Sequence, residues 1–270
     1  MAGSTITGWG IHRLIAGLNA GANASVAVAP AEPGPTCDGV ICGSLDQPIT
    51  GIVVCWMLTR ANMDRVAQGD ANMVITHEPT FYTQHDLVRE RAETAVPGSK
   101  HAALQQLGWL VYRVHDCWDL YPRFGVADRL AAAIGLGGRV AERDGVCLYE
   151  LAEPVSVDGL AQRAKRELGL EHVRVAGPDR VVRRVAVGVG AWGGWSHLLS
   201  AIQAEADVFL TGETCEWQTV RFAEDAGLPM IVVGHSESEE PGIEGLAEWL
   251  GARVPVPVRY VRTGPCYRYP

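Results

Sequence analysis

The chain of 270 residues has no C-x-x-C pair, no surplus of basic side chains and no apolar run of the roughly 18 to 20 residues that a membrane helix needs. Each absence removes a class of function. The seven cysteines, at 37, 42, 55, 117, 147, 215 and 266, are odd in number and scattered, so they form no disulfide framework and fit a reducing, cytoplasmic setting. Acidic residues outnumber basic ones by 31 to 23, a formal charge of −8, and no general field draws in a phosphate backbone. Neither nucleic acid nor a membrane is expected as a partner. The N-terminal stretch MAGSTITGWGIHRLIAGLNAG has little positive charge, and Gly and Asn interrupt its apolar run. It reads as a short amphipathic helix with Ile11, Leu14, Ile15 and Leu18 on the apolar face.

What is present is an internal repeat. In the first half, TGIVVCWML (50 to 58) is followed by a helical stretch, ANMVITHE, the helical HAALQQLG, WLVYRVHDCWD and GVADRLAAAIG. In the second, VVRRVAVGVGA (181 to 191) leads to SHLLSAIQAE, ADVFLTGE, VRFAEDAG, LPMIVVGHSESEE and GIEGLAEWLG, in the same order and spacing. Short β-branched runs alternating with helices of ten or so residues predict an α/β fold of two similar βαβ-based modules with mainly parallel or mixed sheets. The expected division is residues 1–130, with the N-terminal helix, and residues 131–270. The second part opens on a linker strand, Val146 to Leu151, with a break at Glu153-Pro154. Its counterpart after the second module is VRYVRT, a C-terminal strand free to return to the first. The Pro-rich APAEPGPTCDG (29 to 39) reads as a surface connection.

Aligning the halves sets His77-Glu78 opposite Gly212-Glu213, and His115-x-x-x-Asp119 opposite His235-x-x-x-Glu239. All follow a strand, and ligands of open parallel sheets bind beyond the carboxyl ends of the strands. If the modules face each other, these groups converge in one cleft. Carboxylates gathered away from water cost several kcal/mol each unless a counter-charge is present. A divalent cation is such a charge, and mixed imidazole and carboxylate ligands suit zinc, manganese, iron, cobalt or nickel. The number of ligands points to two ions sharing a carboxylate, an arrangement that lowers the pKa of a bridging water and serves hydrolysis.

Plainer readings stand beside this one. His77 alone reads equally as a satisfied histidine at a strand end, and Glu78 before Pro79 as a helix-entry residue. Pro241 suits a first helical position, which places GHSESE before the helix and requires a loop to bring His235 and Glu239 together. Glu237, Glu239 and Glu240 would then also complement the helix N-terminus. After His115, either Asp116 or Asp119 suits the ligand role. His85, His101, His172 and His197 read as surface or structural. The glycine-rich GVGAWGGW (188 to 195) lacks both G-K-[ST] and a G-x-G-x-x-G with a ribose-binding acid, so it serves better as substrate lining than as a nucleotide loop. Phe81, Tyr82, Trp118, Trp192, Trp195 and Trp217 are placed to stack on a planar ligand or simply to pack.

With ITHEP, VHDCWD followed by GVADRLAAAIG, ADVFLTGE and GHSESEEPGIEGLAEWL in view, the chain resembles the Nif-three-like dinuclear-metal-centre family, whose members are often labelled homologues of GTP cyclohydrolase I type two. The resemblance runs over most of the chain. It implies metal ligation by His77, Asp119, His235 and Glu239, with Glu78 at the adjoining ligand position, and a toroidal homohexamer whose metal sites face an internal cavity. Many members carry two adjacent histidines where this chain has His77-Glu78, and Trp-Asp-Asn where it has Cys37-Asp38-Gly39. GETCEWQ replaces another histidine-bearing stretch. The expectation is a dinuclear metal-dependent hydrolase (cyclohydrolase, amidohydrolase or phosphoesterase-like) acting on a small polar metabolite through a metal-bridging hydroxide. Its ligands are His77, Glu78, His115, Asp119, His235 and Glu239, and Glu78, Glu213 or Glu216 moves protons. The alternative is a non-catalytic metal-binding or interaction scaffold.

Overall fold

Three apolar runs of the first half become parallel neighbours: β4 (Ile52–Cys55, IVVC), β5 (Met73–Thr76, MVIT) and β6 (Leu110–Arg113, LVYR). All their residues are buried, as expected for parallel strands covered on both faces. In the computed structural model, residues 6–22, 36–87, 94–119, 121, 122 and 124–270 are described. The chain forms two compact units, residues 1–124 with 243–264, and residues 125–242 with 265–270. Most of the Pro-rich connection, residues 29–35, lies outside the described residues.

The first unit begins with β1 (Ile6–Thr7), which pairs antiparallel with β3 (Pro48–Ile49), and α1 (Gly8–Ala22). Of the four residues that the periodicity puts on the apolar face, α1 buries Ile11, Ile15 and Leu18 and leaves Leu14 half-buried. β2 (Gly39–Cys42) closes one edge of the sheet, antiparallel to β6. The connecting helices are α2 (Met63–Val66) and α3 (Ala95–Leu107), and α4 (Asp116–Asp119) follows β6. Val53, Cys55, Val74 and Val111 pack with Leu58, Phe81, Leu104 and Trp109 in one core.

The second unit starts at α5 (Val126–Ala133) and continues with a hairpin of β7 (Arg139–Arg143) and β8 (Val146–Ser156). Asp144 and Gly145 turn it with φ of 49° and 81°, the left-handed pair that a two-residue hairpin needs. α6 (Val157–Glu167) is capped by Ser156, whose Oγ accepts from Gly159 N–H at 3.0 Å. Then come β9 (Arg174–Ala176), β10 (Val181–Gly188), α7 (Trp195–Gln203), β11 (Val208–Thr211), a π-helix (Glu216–Val220), α8 (Arg221–Asp225) and β12 (Met230–Val232). α9 (His235–Gly251) follows β12, and β13 (Val258–Tyr260) pairs parallel with β4 in the first sheet.

The two sheets repeat one topology. In spatial order the first reads β13-β4-β5-β6-β2 and the second β7-β8-β10-β11-β12-β9. Each has three parallel strands in chain order, then an antiparallel edge strand that precedes them in sequence. These short edge strands escaped the sequence reading, because three or four residues show no periodicity. The break expected at Glu153-Pro154 lies inside β8. Pro154 is tolerated there because the ladder to β10 shifts register between Val182 and Arg184, so a missing N–H removes no regular rung.

Candidate metal centre

The end of β5 and the end of β6 assemble the first group. His77 and Glu78 both donate their backbone N–H to Trp56 O, at 3.0 and 2.8 Å, which fixes the turn that presents them. His77 is fully buried and its Nδ1 lies 3.0 Å from Val114 O. A carbonyl only accepts, so Nδ1 carries a proton, and in the neutral ring Nε2 keeps its lone pair. That lone pair faces Asp119 Oδ1 at 3.4 Å. Acceptor meets acceptor, a geometry that a proton or a cation must bridge.

His115 stacks on His77, ring centroids 4.4 Å apart and planes within 13°. Its Nε2 is 3.5 Å from Glu78 Oε1, and its Nδ1 lies 2.8 Å from Asp116 Oδ1 and 3.5 Å from Asp119 Oδ2. Burial alone would depress the imidazolium, but Asp119, Asp116 and Glu78 outweigh it and hold the His115 pKa well above its ordinary value. Asp116 is pulled down to about 2: burial raises it, and the bonds from His115 and from Cys37 N–H more than compensate. One ligand atom from each of His77, Glu78 and His115 falls within 4.8 Å of the others, a spacing that suits a single cation. Two imidazoles and two carboxylates form the donor set of a transition-metal site.

Three residues outside the expected ligand set hold this group in place. Buried Asp38 accepts the N–H of His115 through Oδ1 and that of Cys117 through Oδ2 at 3.0 Å, so it fixes the turn into α4. Thr36 Oγ1 donates to the same carboxylate at 3.0 Å. Buried Arg113 donates from Nε to His77 O at 2.9 Å and from Nη1 to Gln84 O at 2.8 Å. Asp38 entered the sequence reading only as the middle of Cys37-Asp38-Gly39, and its partners lie 77 and 79 residues downstream.

The second group sits at the equivalent strand ends. Glu213, after β11, donates its N–H to Gly190 O at 2.8 Å, the counterpart of the Glu78 to Trp56 bond. Gly212 takes the place of His77, and a Cβ there would lie 2.5 Å from Gly190 O, so this loop has no room for a second histidine. His235 Nδ1 is 3.2 Å from Glu213 Oε1, and its Nε2 is 3.3 Å from Glu239 Oε1. His235 and Glu239 are four residues apart on α9, one face of one helix, and no loop is required. This corrects the expectation drawn from Pro241. Gly234, at φ 110°, turns the chain straight off β12, so the helix starts at His235 and contains the proline.

The glycine-rich loop before α7 closes over this pair. Gly190 has φ 52°, its N–H donates to Ser238 Oγ at 2.8 Å, and a Cβ on it would fall 1.9 Å from Glu239 Oε1. Trp192 anchors the loop by stacking on His197, 5.7 Å between centroids. Glu216 stands on the π-helix with its side chain 84% exposed, 3.9 Å from Arg174 Nη1. Of the aromatic candidates, Phe81 and Trp118 are buried in packing, whereas Trp217 is 78% exposed.

Residues 27–263 match the model of the family described as Duf34/NIF3 (NGG1p interacting factor 3). The chain belongs to the NIF3 family. Relatives within reach of sequence comparison include a protein named GTP cyclohydrolase 1 type 2 homolog from Pseudomonas aeruginosa, 31% identical over 205 residues, 72% of this chain and 76% of that one. A Salmonella typhimurium protein of the same name is 30% identical over 225 residues, 81% of this chain and 84% of its own length. Among solved structures, a structural-genomics protein named ybgI, of unknown function, superposes with a TM-score of 0.79 at 26% identity, covering 96% of this chain and 99% of that one. The NIF3 fold therefore accounts for the two similar modules, and the candidate ligands lie at their strand ends. No helix among the described residues is long and apolar enough to cross a membrane.

Proposed function

We propose that this NIF3-family protein is a dinuclear metal-dependent hydrolase acting on a small polar metabolite in the cytoplasm. The observation that carries the reading is the buried His77 imidazole, whose Nδ1–H is committed to Val114 O while its Nε2 faces a carboxylate oxygen at 3.4 Å. The ligands would be His77, Glu78, His115, Asp119, His235 and Glu239. When bound, two such ions supply Lewis acidity and water of lowered pKa. The chain's own part is to orient and to move protons. Val114 O and Asp116 fix the two imidazole tautomers, as carboxylates and carbonyls do behind metal-binding histidines. Glu78 and Glu213 offer carboxylates beside His115 and His235, and either serves as a proton acceptor from water. Glu216, three residues further along the chain, is the third candidate for this role.

Elemental analysis after chelation and reloading tests the reading. Up to two transition-metal ions per chain are expected, and the double variant His77→Ala with His235→Ala should lose them. Equal uptake by the variant would sink the proposal. Metal held at full occupancy with no turnover across a metabolite screen would favour the scaffold alternative. The family assembly extends the proposal to a closed homohexamer, for which light scattering at micromolar concentration is decisive; a monomer would overturn it.

A further inference from the structure

We propose that the cleft beside Glu213 is a subsite for the phosphate group of the substrate, with Arg174 and Arg221 as its cationic walls and Glu216 as the internal anion that the phosphate displaces. The inference rests on the hydrolase reading only for calling the bound molecule a substrate. The cleft, of about 320 Å³, is lined by Arg174, Thr214, Glu216, Arg221, Glu224 and Val232 among others. That volume is at the lower end of small-molecule sites.

Its position ties it to the candidate centre. Thr214 directly follows Glu213, whose carboxylate meets His235 at 3.2 Å. Arg174 is the ladder partner of Val232, the last residue of β12, three residues before His235. The end of the cleft formed by Arg174, Thr214 and Val232 thus lies at the carboxyl ends of β11 and β12, the strand ends that carry the His235 group and where open α/β sheets bind ligands, while Ala176 and Gly177 extend it toward the start of β12.

Its charges are arranged for exchange. Arg174 Nη1 lies 3.9 Å from Glu216 Oε1, and Arg221 Nη1 lies 2.7 Å from Glu224 Oε2. The side chains of Arg174, Glu216 and Arg221 are 63%, 84% and 72% exposed, so these pairs are held weakly against water. Arg174, Arg221 and Glu216 line the same cleft, so this carboxylate shares it with two guanidiniums. A phosphate dianion satisfies both forks, whereas a single carboxylate charge satisfies one. Glu216 begins the π-helix, and π-turns concentrate at functional sites.

Isothermal titration with inorganic phosphate and with acetate tests this on metal-reloaded wild type, Arg174→Ala, Arg221→Ala and Glu216→Gln. Both arginines are exposed, so the variants should fold, which circular dichroism checks. Phosphate should bind the wild type and bind each arginine variant about tenfold or more weakly. Glu216→Gln should bind it several-fold more tightly, because the competing anion is gone, and acetate should bind none of them comparably. Absent phosphate binding, equal affinity in the arginine variants, weaker binding by Glu216→Gln, or acetate binding as well as phosphate would each overturn the inference. Metal content measured on the same samples separates the two readings. Phosphate that needs metal but ignores the arginines removes the subsite and leaves the metal centre, whereas arginine-dependent binding in protein that takes up no metal keeps the subsite and removes the hydrolase.

Discussion

Gly190→Ala should damage metal binding out of proportion to its effect on stability. A Cβ at this position falls 1.9 Å from Glu239 Oε1 and 2.8 Å from His235 Nε2, while ordinary contact begins near 3.4 Å. The Glu239 oxygen must therefore retreat by about 1.5 Å, far beyond the roughly 0.2 Å tolerance of a metal-ligand bond. Glu239 is 3% exposed and fixed on α9, so it has little open space to retreat into. The backbone adds its own cost, since an L-residue in the left-handed region loses about 1–2 kcal/mol. Gly227 isolates that second effect: it has φ 69°, and nothing lies within 4 Å of its Cβ position. Gly227→Ala should lose about 1–2 kcal/mol in urea unfolding and leave metal affinity alone. Gly190→Ala should lose at least as much stability and also weaken metal binding by about 10- to 100-fold, the usual scale for disturbing the support of a ligand. Competition against a chromophoric chelator reads the affinities. If the two variants hold metal equally well, the argument that Gly190 makes room for the His235–Glu239 pair is wrong.

Three further outcomes are expected. Asp38→Ala removes the acceptor for the His115 and Cys117 N–H groups, and a charge-assisted pair of this kind is worth about 2 kcal/mol or more in urea unfolding; a loss below about 0.5 kcal/mol would refute its anchoring role. Lys100, fully buried and donating to Leu58 O and Thr80 O, has its pKa lowered to about 8, chiefly by burial. Its folded pKa lies below the ordinary value of 10.5, so between those values the unfolded chain binds more protons and this group's contribution to stability rises with pH. Relative to Lys100→Met, the wild type should gain about 1–3 kcal/mol from pH 7 to above 10, and parallel curves would contradict the burial argument. Glu78→Gln keeps size and one acceptor but removes the charge: lost metal identifies a ligand, full metal with turnover reduced by about 10²-fold or more identifies a base, and no change in either removes Glu78 from the chemistry.

The repeat, the parallel strands and the polar residues at their ends were legible in the sequence because each is local. IVVC, MVIT and LVYR are continuous apolar runs, and a run of that kind reports burial on both faces wherever it occurs. The matching His-x-x-x-acid spacing of His115 with Asp119 and of His235 with Glu239 is likewise written in the sequence, although Pro241 pointed the second pair to a loop rather than to the one helix that carries it. What sequence spacing left open was decided by partners far along the chain. Asp38 reaches His115 across 77 residues, and Gly190 reaches Ser238 across 48. The helix from His235 runs through Pro241 although a proline inside a helix costs about 3 kcal/mol. Gly234 starts the helix early, and the deep burial of Ile243, Leu246 and Leu250 along it offsets the local penalty. Local pattern thus determined which residues reach the strand ends. Tertiary contact alone decided how each is held, because a backbone N–H or a glycine without a side chain has no pattern until its neighbour is known.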